Sequence, residues 1–337
     1  MSRLTIGTFF MHNTLVGADI SIAKSFLEEG ELVAIPTETV YGLAANGLDT
    51  KAVLKIYAAK DRPQFNPLIL HVANLEQLKQ LVIEIPDACQ KLISTFSPGP
   101  ITYLLPKKAI VPDLVTAGSS HVAVRIPDHP LTLELLSALK FPLAAPSANP
   151  SGYVSPVTSD HVLAGLNGRI AYILDGGPCR VGLESTIVGF NGSEVVVHRL
   201  GGITIEQIEQ ATASVVTLAL SHASPTAPGQ LKSHYATAKP FLMGDVEQLI
   251  ADIGTKKVGI ISFKQSYASL HPKLEFILSP KGNLDEAAAK LFGAMREMDG
   301  ADVDVIIAER FPDQGIGKAI NDRLERAAFN EITTPSK

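Results

Sequence analysis

Residues 22–30 carry apolar side chains at helical spacing, and residues 31–35 then read as extended before Pro36 opens the hydroxyl-rich stretch PTETVYGL. A helix, a strand and a loop follow one another. Residues 50–60, TKAVLKIYAAK, put Val53, Ile56 and Tyr57 on one helical face, and Pro63 in KDRP requires that helix to end before it. Lys60 and Arg62 therefore fall at a helix exit. The run PLILHV suits a buried strand of Leu68, Ile69, Leu70 and Val72, with a helix in LEQLKQLV behind Asn74 as N-cap and another over 87–96. SPGP forms a turn before the strand 101–105, and 121–126 alternates, so that Val122 and Val124 share one face while His121, Ala123 and Arg125 share the other.

After a helix over 131–139 comes FPLAAPSANPSGYVSP, a loop that turns sharply near Ser147 and Asn149 and presents hydroxyls and amides. Residues 170–174 read as a strand, GGPCRVGLES as a glycine-containing loop, and 186–188 with 194–199 as a terminal hairpin. Beyond a short helix in TIEQIEQ, the Ser-, Ala- and Pro-rich SHASPTAPGQLKSHYATAKP is the best linker candidate. KKVGIISF, DEAAAKLFGAMREM, DVDVIIAE and GIGKAINDRLERAAF then read as strand, helix, strand and helix. The expected architecture is α/β: residues 1–212 around a twisted, open, mixed sheet, a linker over 213–238, and a smaller Rossmann-like α/β domain over 239–337.

Composition narrows the function classes. The 337 residues are 46% hydrophobic with 26 Gly and 22 Pro, which excludes collagen-like, coiled-coil and low-complexity chains. Lys plus Arg number 29 against 34 acidic residues, a net charge of -5 that argues against stable, charge-driven binding to long nucleic acid but leaves room for a local basic cleft. Cys89 and Cys179 belong to no CxxC pair or Cys/His cluster, so no structural zinc is expected. The start lacks a signal-type apolar core, and later apolar runs stop well short of about 18 residues, predicting a reduced, cytoplasmic protein with no membrane association.

Thr37, Thr39, Lys60, Arg62, Arg125, Ser147, Asn149, Ser185 and Arg199 lie near ends of predicted apolar strands, the usual ligand face of an open α/β sheet. Guanidinium forks match phosphate or carboxylate oxygens, and short hydroxyl side chains orient small polar substrates. There is no GxxxxGK[ST] loop, GxGxxG fingerprint or GxSxG elbow. Small-anion binding and a purely structural account, with Lys60 and Arg62 as solvated helix-end charges, fit these features equally.

The segments PTETVYGLAANGLD, IYAAKDRPQFNPLILHV, FSPGPITYLL, HVAVRIPDHP, APSANPSG and GLESTIV change that balance. They occur in the order seen in the YrdC-type threonylcarbamoyl-AMP synthases, which the chain resembles over roughly 17–210. PGQLKSHYA and GIGKAINDRLERAA extend the resemblance to the long, two-domain members. The resemblance implies a YrdC-like first domain and synthesis of L-threonylcarbamoyl-AMP and pyrophosphate from L-threonine, bicarbonate or CO2, and ATP with Mg2+. The product would pass to a separate threonylcarbamoyl transferase complex that forms N6-threonylcarbamoyladenosine at position 37 of tRNA.

By the same resemblance, Thr39, His71, Arg125 and Ser185 are expected on the threonine side, with Arg125 facing its carboxylate. Lys60, Arg62, Asn66, Ser147, Asn149, Ser155, Arg199 and Tyr235 are expected on the ATP side, Lys60 and Arg62 positioning phosphates. No general base and no direct metal ligand is assigned, Mg2+ being held through the ATP phosphates; Glu38 fits a loop-stabilising acceptor as well as a magnesium contact. Three positions depart from the family pattern: Leu200 replaces a proline, His121 a small hydroxyl residue and Ala145 a threonine. The competing readings are an RNA-binding or ribosome-associated module, opposed by the net charge, and a carbamoyl-adenylate-handling domain of a hydrogenase-maturation protein, whose acylphosphatase and zinc-finger segments have no counterpart here.

Overall fold

The computed structural model describes residues 13–192, 194–219, 235–254 and 256–329. Its first part runs β1 (Leu15–Gly17), α1 (Ile20–Glu28), β2 (Val33–Ile35), β3 (Gly42–Asn46), α2 (Thr50–Lys60), β4 (Ile69–His71), α3 (Leu75–Leu81), α4 (Asp87–Phe96), β5 (Ile101–Pro106) and α5 (Asp113–Thr116). It continues through β6 (His121–Arg125), α6 (Pro130–Ala138), β7 (Leu143–Ala144), α7 (Ser159–Leu166), β8 (Tyr172–Leu174), β9 (Thr186–Asn191), β10 (Glu194–Arg199), α8 (Ile205–Thr212) and β11 (Val216–Leu218). These strands form one mixed sheet in the order β1-β8-β2-β3-β7-β4-β6-β5-β9-β10-β11.

The second part comprises β12 (Phe241–Met243), α9 (Val246–Ile253), β13 (Val258–Ser262), β14 (Leu274–Ile277), α10 (Leu284–Gly300), β15 (Val305–Ala308) and α11 (Gly317–Ala328). Its four strands pair in parallel in the order β12-β15-β13-β14. Parallel strands require crossovers: α9 carries the chain from β12 to β13, a short 3-10 turn over Ala268–Leu270 lies between β13 and β14, and α10 leads from β14 to β15. Val258 to Ser262 is buried along its whole length, as a strand covered on both faces should be.

Local chemistry sets the element ends. Asp49 caps α2 by accepting from Lys51 N at 2.9 Å, and Asp61 ends it in the left-handed region at φ 53°. Arg62 N then donates to Tyr57 O at 2.9 Å, which turns the chain sharply. Asn74 caps α3 as expected, Pro130 occupies the first turn of α6, and Thr204 with Gln207 forms a capping box on α8.

Three expectations are revised. The 186–199 hairpin is not terminal, because β11 pairs in parallel outside β10, Val195 opposite Val216. That strand occupies the start of the expected linker; with only one half-buried apolar residue it has too little alternation to register as a strand. The PTETVYGL and FPLAAPSANPSGYVSP loops each touch a short strand, β3 and β7, which pair with each other through Ala45 and Ala144. The rest of the expected linker falls mostly on residues 220–234, outside the described residues.

Candidate active site

A cleft forms where the loop after β2, the exit of α2, β4, β6, the 145–147 loop and the ends of β9 and β10 converge. Thr37, Thr39, Arg62, His71, Arg125, Ser147, Glu184, Ser185, Arg199 and Tyr235 line it. Sheet register brings the first group together: β4 and β6 are parallel neighbours with His71 opposite Arg125. On the other side, β10 slips register against β9 between Val197 and Arg199, a bulge that sets Arg199 opposite Ile187.

Arg125 is buried and its Nη2 lies 2.7 Å from Glu38 Oε2, an ion-pair separation that does not meet hydrogen-bond geometry. Its Nε donates to Gly99 O at 3.3 Å. Burial, then the Arg125 charge, pulls His71 down to about 3, so the imidazole is neutral at ordinary pH. Thr37 and Thr39 hydroxyls lie 2.8 Å apart, and Thr37 Oγ1 donates to Val40 O at 2.7 Å, which folds this loop tightly beside the arginine.

Arg199 grips the opposite wall. Its Nη2 bonds Ser185 O at 2.9 Å and Ser185 Oγ at 3.0 Å, while Ser185 Oγ also lies 2.7 Å from Thr102 Oγ1. Arg62 donates from Nε to Asn66 O at 3.3 Å and from Nη2 to Pro67 O at 2.9 Å. Burial is the main cause that lowers both Arg62 and Arg199 to about 10. Both remain charged at neutral pH, and a buried cationic wall is suited to receive an anion.

Lys60 departs from the expected cleft-facing donor. Only 1% exposed, it sends Nζ to the carbonyls of Ser147 and Asn149, and so braces the loop from beneath. Burial, then Arg62 and Arg296, pulls its ammonium well below the usual lysine range. Asn66, Asn149 and Ser155 are likewise buried behind the wall rather than on it. Asn149 Nδ2 binds Pro150 O and Tyr153 O, both at 2.8 Å, and Ser155 Oγ donates to Glu184 Oε1 at 2.6 Å. The side-chain amide of Asn66 meets no hydrogen-bond partner among the described residues.

Tyr235 does reach the cleft, with φ 66°, its ring stacked on Phe292 of α10 at 5.3 Å between centroids. Burial is the largest cause holding its phenol above the usual range. Sequence reasoning assigned no role to Thr102, Glu184, Arg296 or Arg323, and left Glu38 between two roles. Arg323 was findable: it follows Ile320 by three residues and precedes Ala327 by four, so it sits in the apolar stripe of α11.

Among the described residues no group of three or more His, Cys, Asp or Glu is arranged to hold a metal ion. The carboxylates nearest the cleft, Glu38 and Glu184, each face an arginine, Arg125 and Arg323. This donor set does not fit a protein-held magnesium site. Among the described residues no helix is long and apolar enough to cross a membrane.

Comparison with known proteins identifies the family. Residues 25–201 match a family model described as Telomere recombination, and residues 203–329 match one described as Threonylcarbamoyl-AMP synthase, C-terminal domain. A Bacillus subtilis protein named threonylcarbamoyl-AMP synthase is 43% identical over 325 residues, covering 93% of this chain and 94% of the relative. A Pyrococcus abyssi protein of the same name is 40% identical, covering 93% and 95%. The crystal structure of P. abyssi Sua5 complexed with L-threonine superposes with a TM-score of 0.86 at 39% identity, covering 94% of this chain and 96% of that one. With both family models matched in order and relatives of this identity spanning nearly its whole length, the chain belongs to the threonylcarbamoyl-AMP synthase family.

Proposed function

We propose that this chain makes L-threonylcarbamoyl-AMP and pyrophosphate from L-threonine, bicarbonate or CO2, and magnesium-bound ATP. The product then serves a separate transferase complex in N6-threonylcarbamoyladenosine formation on tRNA, in the cytoplasm. The observation that carries the reading is the convergence of three buried guanidiniums, Arg62, Arg125 and Arg199, with the hydroxyl residues Thr39 and Ser185 on one cleft. The division into residues 1–212, 213–238 and 239–337 belongs to the same proposal.

The reaction needs the threonine amine neutral when it captures CO2; the carbamate oxygen then attacks the α-phosphorus and pyrophosphate leaves. Alignment and charge neutralisation supply most of what such a step requires. Arg125 meets the threonine carboxylate, with Thr39, Ser185 and neutral His71 shaping the pocket around it. Arg62 and Arg199 neutralise the phosphates as charge moves onto pyrophosphate. Magnesium arrives with ATP as part of the substrate. Lys60, Asn149, Asn66 and Ser155 set the shape of the nucleotide-side loops, where Ser147 lies on the wall, and Tyr235 covers the nucleotide and excludes water.

The test is an incubation of purified protein with ATP, Mg2+, labelled bicarbonate and single amino acids. Threonine-dependent appearance of labelled adenylate with stoichiometric pyrophosphate is expected. Release of ADP and phosphate instead, or no dependence on the amino acid, would overturn the proposal.

A further inference from the structure

The second sheet's helices send two arginines against the back of the cleft wall. Arg296 of α10 donates from Nε to Ser155 O at 3.3 Å and from Nη1 to His161 O at 3.2 Å, with its guanidinium 4.8 Å from the centre of the Tyr153 ring. Arg323 of α11 is fully buried and reaches further in. Its Nε lies 3.0 Å from Glu184 Oε2, its Nη2 donates to Leu200 O at 2.7 Å, and its guanidinium carbon sits 5.4 Å from the centre of the Tyr235 ring.

These three contacts bracket the cleft. Glu184 immediately precedes Ser185 and Leu200 immediately follows Arg199, and Arg199 is itself bonded to Ser185. The second oxygen of Glu184 accepts from Ser155. One planar guanidinium thus sets the spacing between the two chain segments of the wall and the ring that closes it. A lysine, a point charge on a flexible stem, can pair with Glu184 but cannot hold all three directions at once. The close approach of the two walls is built in: a Cβ on Gly201 would lie 2.2 Å from Glu184 O.

We infer that Arg323 is a positioning residue for adenylate formation, aligning Arg199 and Tyr235 on the nucleotide from the C-terminal domain without touching substrate itself. This rests on the synthase reading above. Of the threonine-side residues, Arg125, Thr39 and His71 lie outside its contacts and Ser185 is reached only through Glu184, so its influence falls mainly on the ATP side.

The experiment compares Arg323→Lys, Arg323→Gln, Glu184→Gln and the Arg323→Gln/Glu184→Gln pair in the full chain, by threonine-dependent pyrophosphate release over ranges of ATP and threonine, with thermal unfolding alongside. Lys318→Ala is the control, because Lys318 bridges to Glu206 at 2.7 Å on the surface of the same junction without reaching the cleft. Arg323→Gln is expected to lower kcat and raise KM for ATP, with kcat/KM for ATP falling at least tenfold and KM for threonine moving less than threefold. Arg323→Lys should recover part of the loss, the double variant should be no worse than Arg323→Gln, and Lys318→Ala should keep wild-type kinetics. A merely structural role lowers the active fraction and leaves both KM values unchanged; that pattern, additive losses in the double variant, or kcat/KM within twofold of wild type would overturn the inference. If Arg323→Gln does not fold, unchanged kinetics in both Arg323→Lys and Glu184→Gln would do the same. A wild-type protein that releases no pyrophosphate with threonine would instead remove the synthase reading, and this inference with it.

Discussion

Glu38→Gln tests the electrostatics of the cleft most directly, because it removes one charge from a pair in which Arg125 is 4% exposed and Glu38 not at all. Unit charges about 4 Å apart attract by roughly 4 kcal/mol at an effective dielectric of about 20, and removing one partner of a buried pair costs roughly 3–5 kcal/mol. Glutamine keeps the shape and the Arg125–Gly99 hydrogen bond survives, so the loss should sit near the low end, about 3 kcal/mol. That corresponds to a fall of roughly 6–12 °C in the melting temperature of the first domain. Threonine should act in the opposite sense under the proposed reading, in which its carboxylate would share Arg125 with Glu38 in the wild type and would supply the missing negative charge in the variant. A ligand that binds only the folded state stabilises it by an amount set by its affinity, so saturating threonine should raise the melting temperature of Glu38→Gln by more than that of the wild type. Thermal unfolding with and without threonine reads both numbers. A ligand-free loss below about 1 kcal/mol would mean that the ion pair is not what holds Arg125. Equal threonine shifts in the two proteins would mean that Arg125 does not meet the carboxylate.

Three further outcomes follow from the same geometry. Folded His71 titrates near 3 against the ordinary 6.5, so below about pH 6 the unfolded chain binds a proton that the folded chain refuses. Stability should therefore decline as pH falls toward 3, and His71→Asn should flatten that decline by about 1.4 kcal/mol per pH unit below about pH 5.5; parallel urea-melt profiles for the two proteins would refute it. Gly182 has φ 75°, and a Cβ there would lie 2.5 Å from Ala288 O on α10, so Gly182→Ala should cost about 2 kcal/mol or more and loosen the domain junction. Unfolding within about 0.5 kcal/mol of wild type would contradict it. Arg62→Gln should harm turnover more than folding, lowering kcat/KM for ATP at least tenfold, about 1.4 kcal/mol, in the pyrophosphate assay, whereas a change under threefold would remove Arg62 from the phosphate side.

Strands with dense apolar runs were legible because their signal is local. The buried strand expected in PLILHV and the alternation expected over 121–126 correspond to β4 and β6, and the helix expected over 50–60 to α2. The strands that escaped are short and borrow their stability from neighbours. β7 has only Leu143 and Ala144, yet it is held between β3 and β4, with Ala144 paired to Ala45 and Leu70. Two residues contain no period to detect; their conformation is decided by a sheet assembled from segments distant in the chain.

The same distinction separates the readable site residues from the unreadable ones. Arg62, Arg125, Ser185 and Arg199 reach the cleft wall because each lies at or next to a strand end or helix exit that the apolar pattern already placed. The position of Lys60 at a helix exit suggests an exposed cleft donor, whereas its side chain is buried. Lys60 follows Val53, Ile56 and Tyr57 at seven, four and three residues, and that spacing puts it on the buried face of α2. Arg323 obeys the same rule among Ile320, Leu324 and Ala327. A long cation inside an apolar helical stripe is expensive unless carbonyls or a carboxylate receive it, and both of these are received by segments that carry the cleft: Ser147 and Asn149 for Lys60, Glu184 and Leu200 for Arg323. What the helix period reveals is thus the cost of burying the charge, while the identity of the acceptors appears only once the sheets are packed. The two buried cations brace the cleft from opposite domains, and a site assembled in this way depends on α11 as much as on α2.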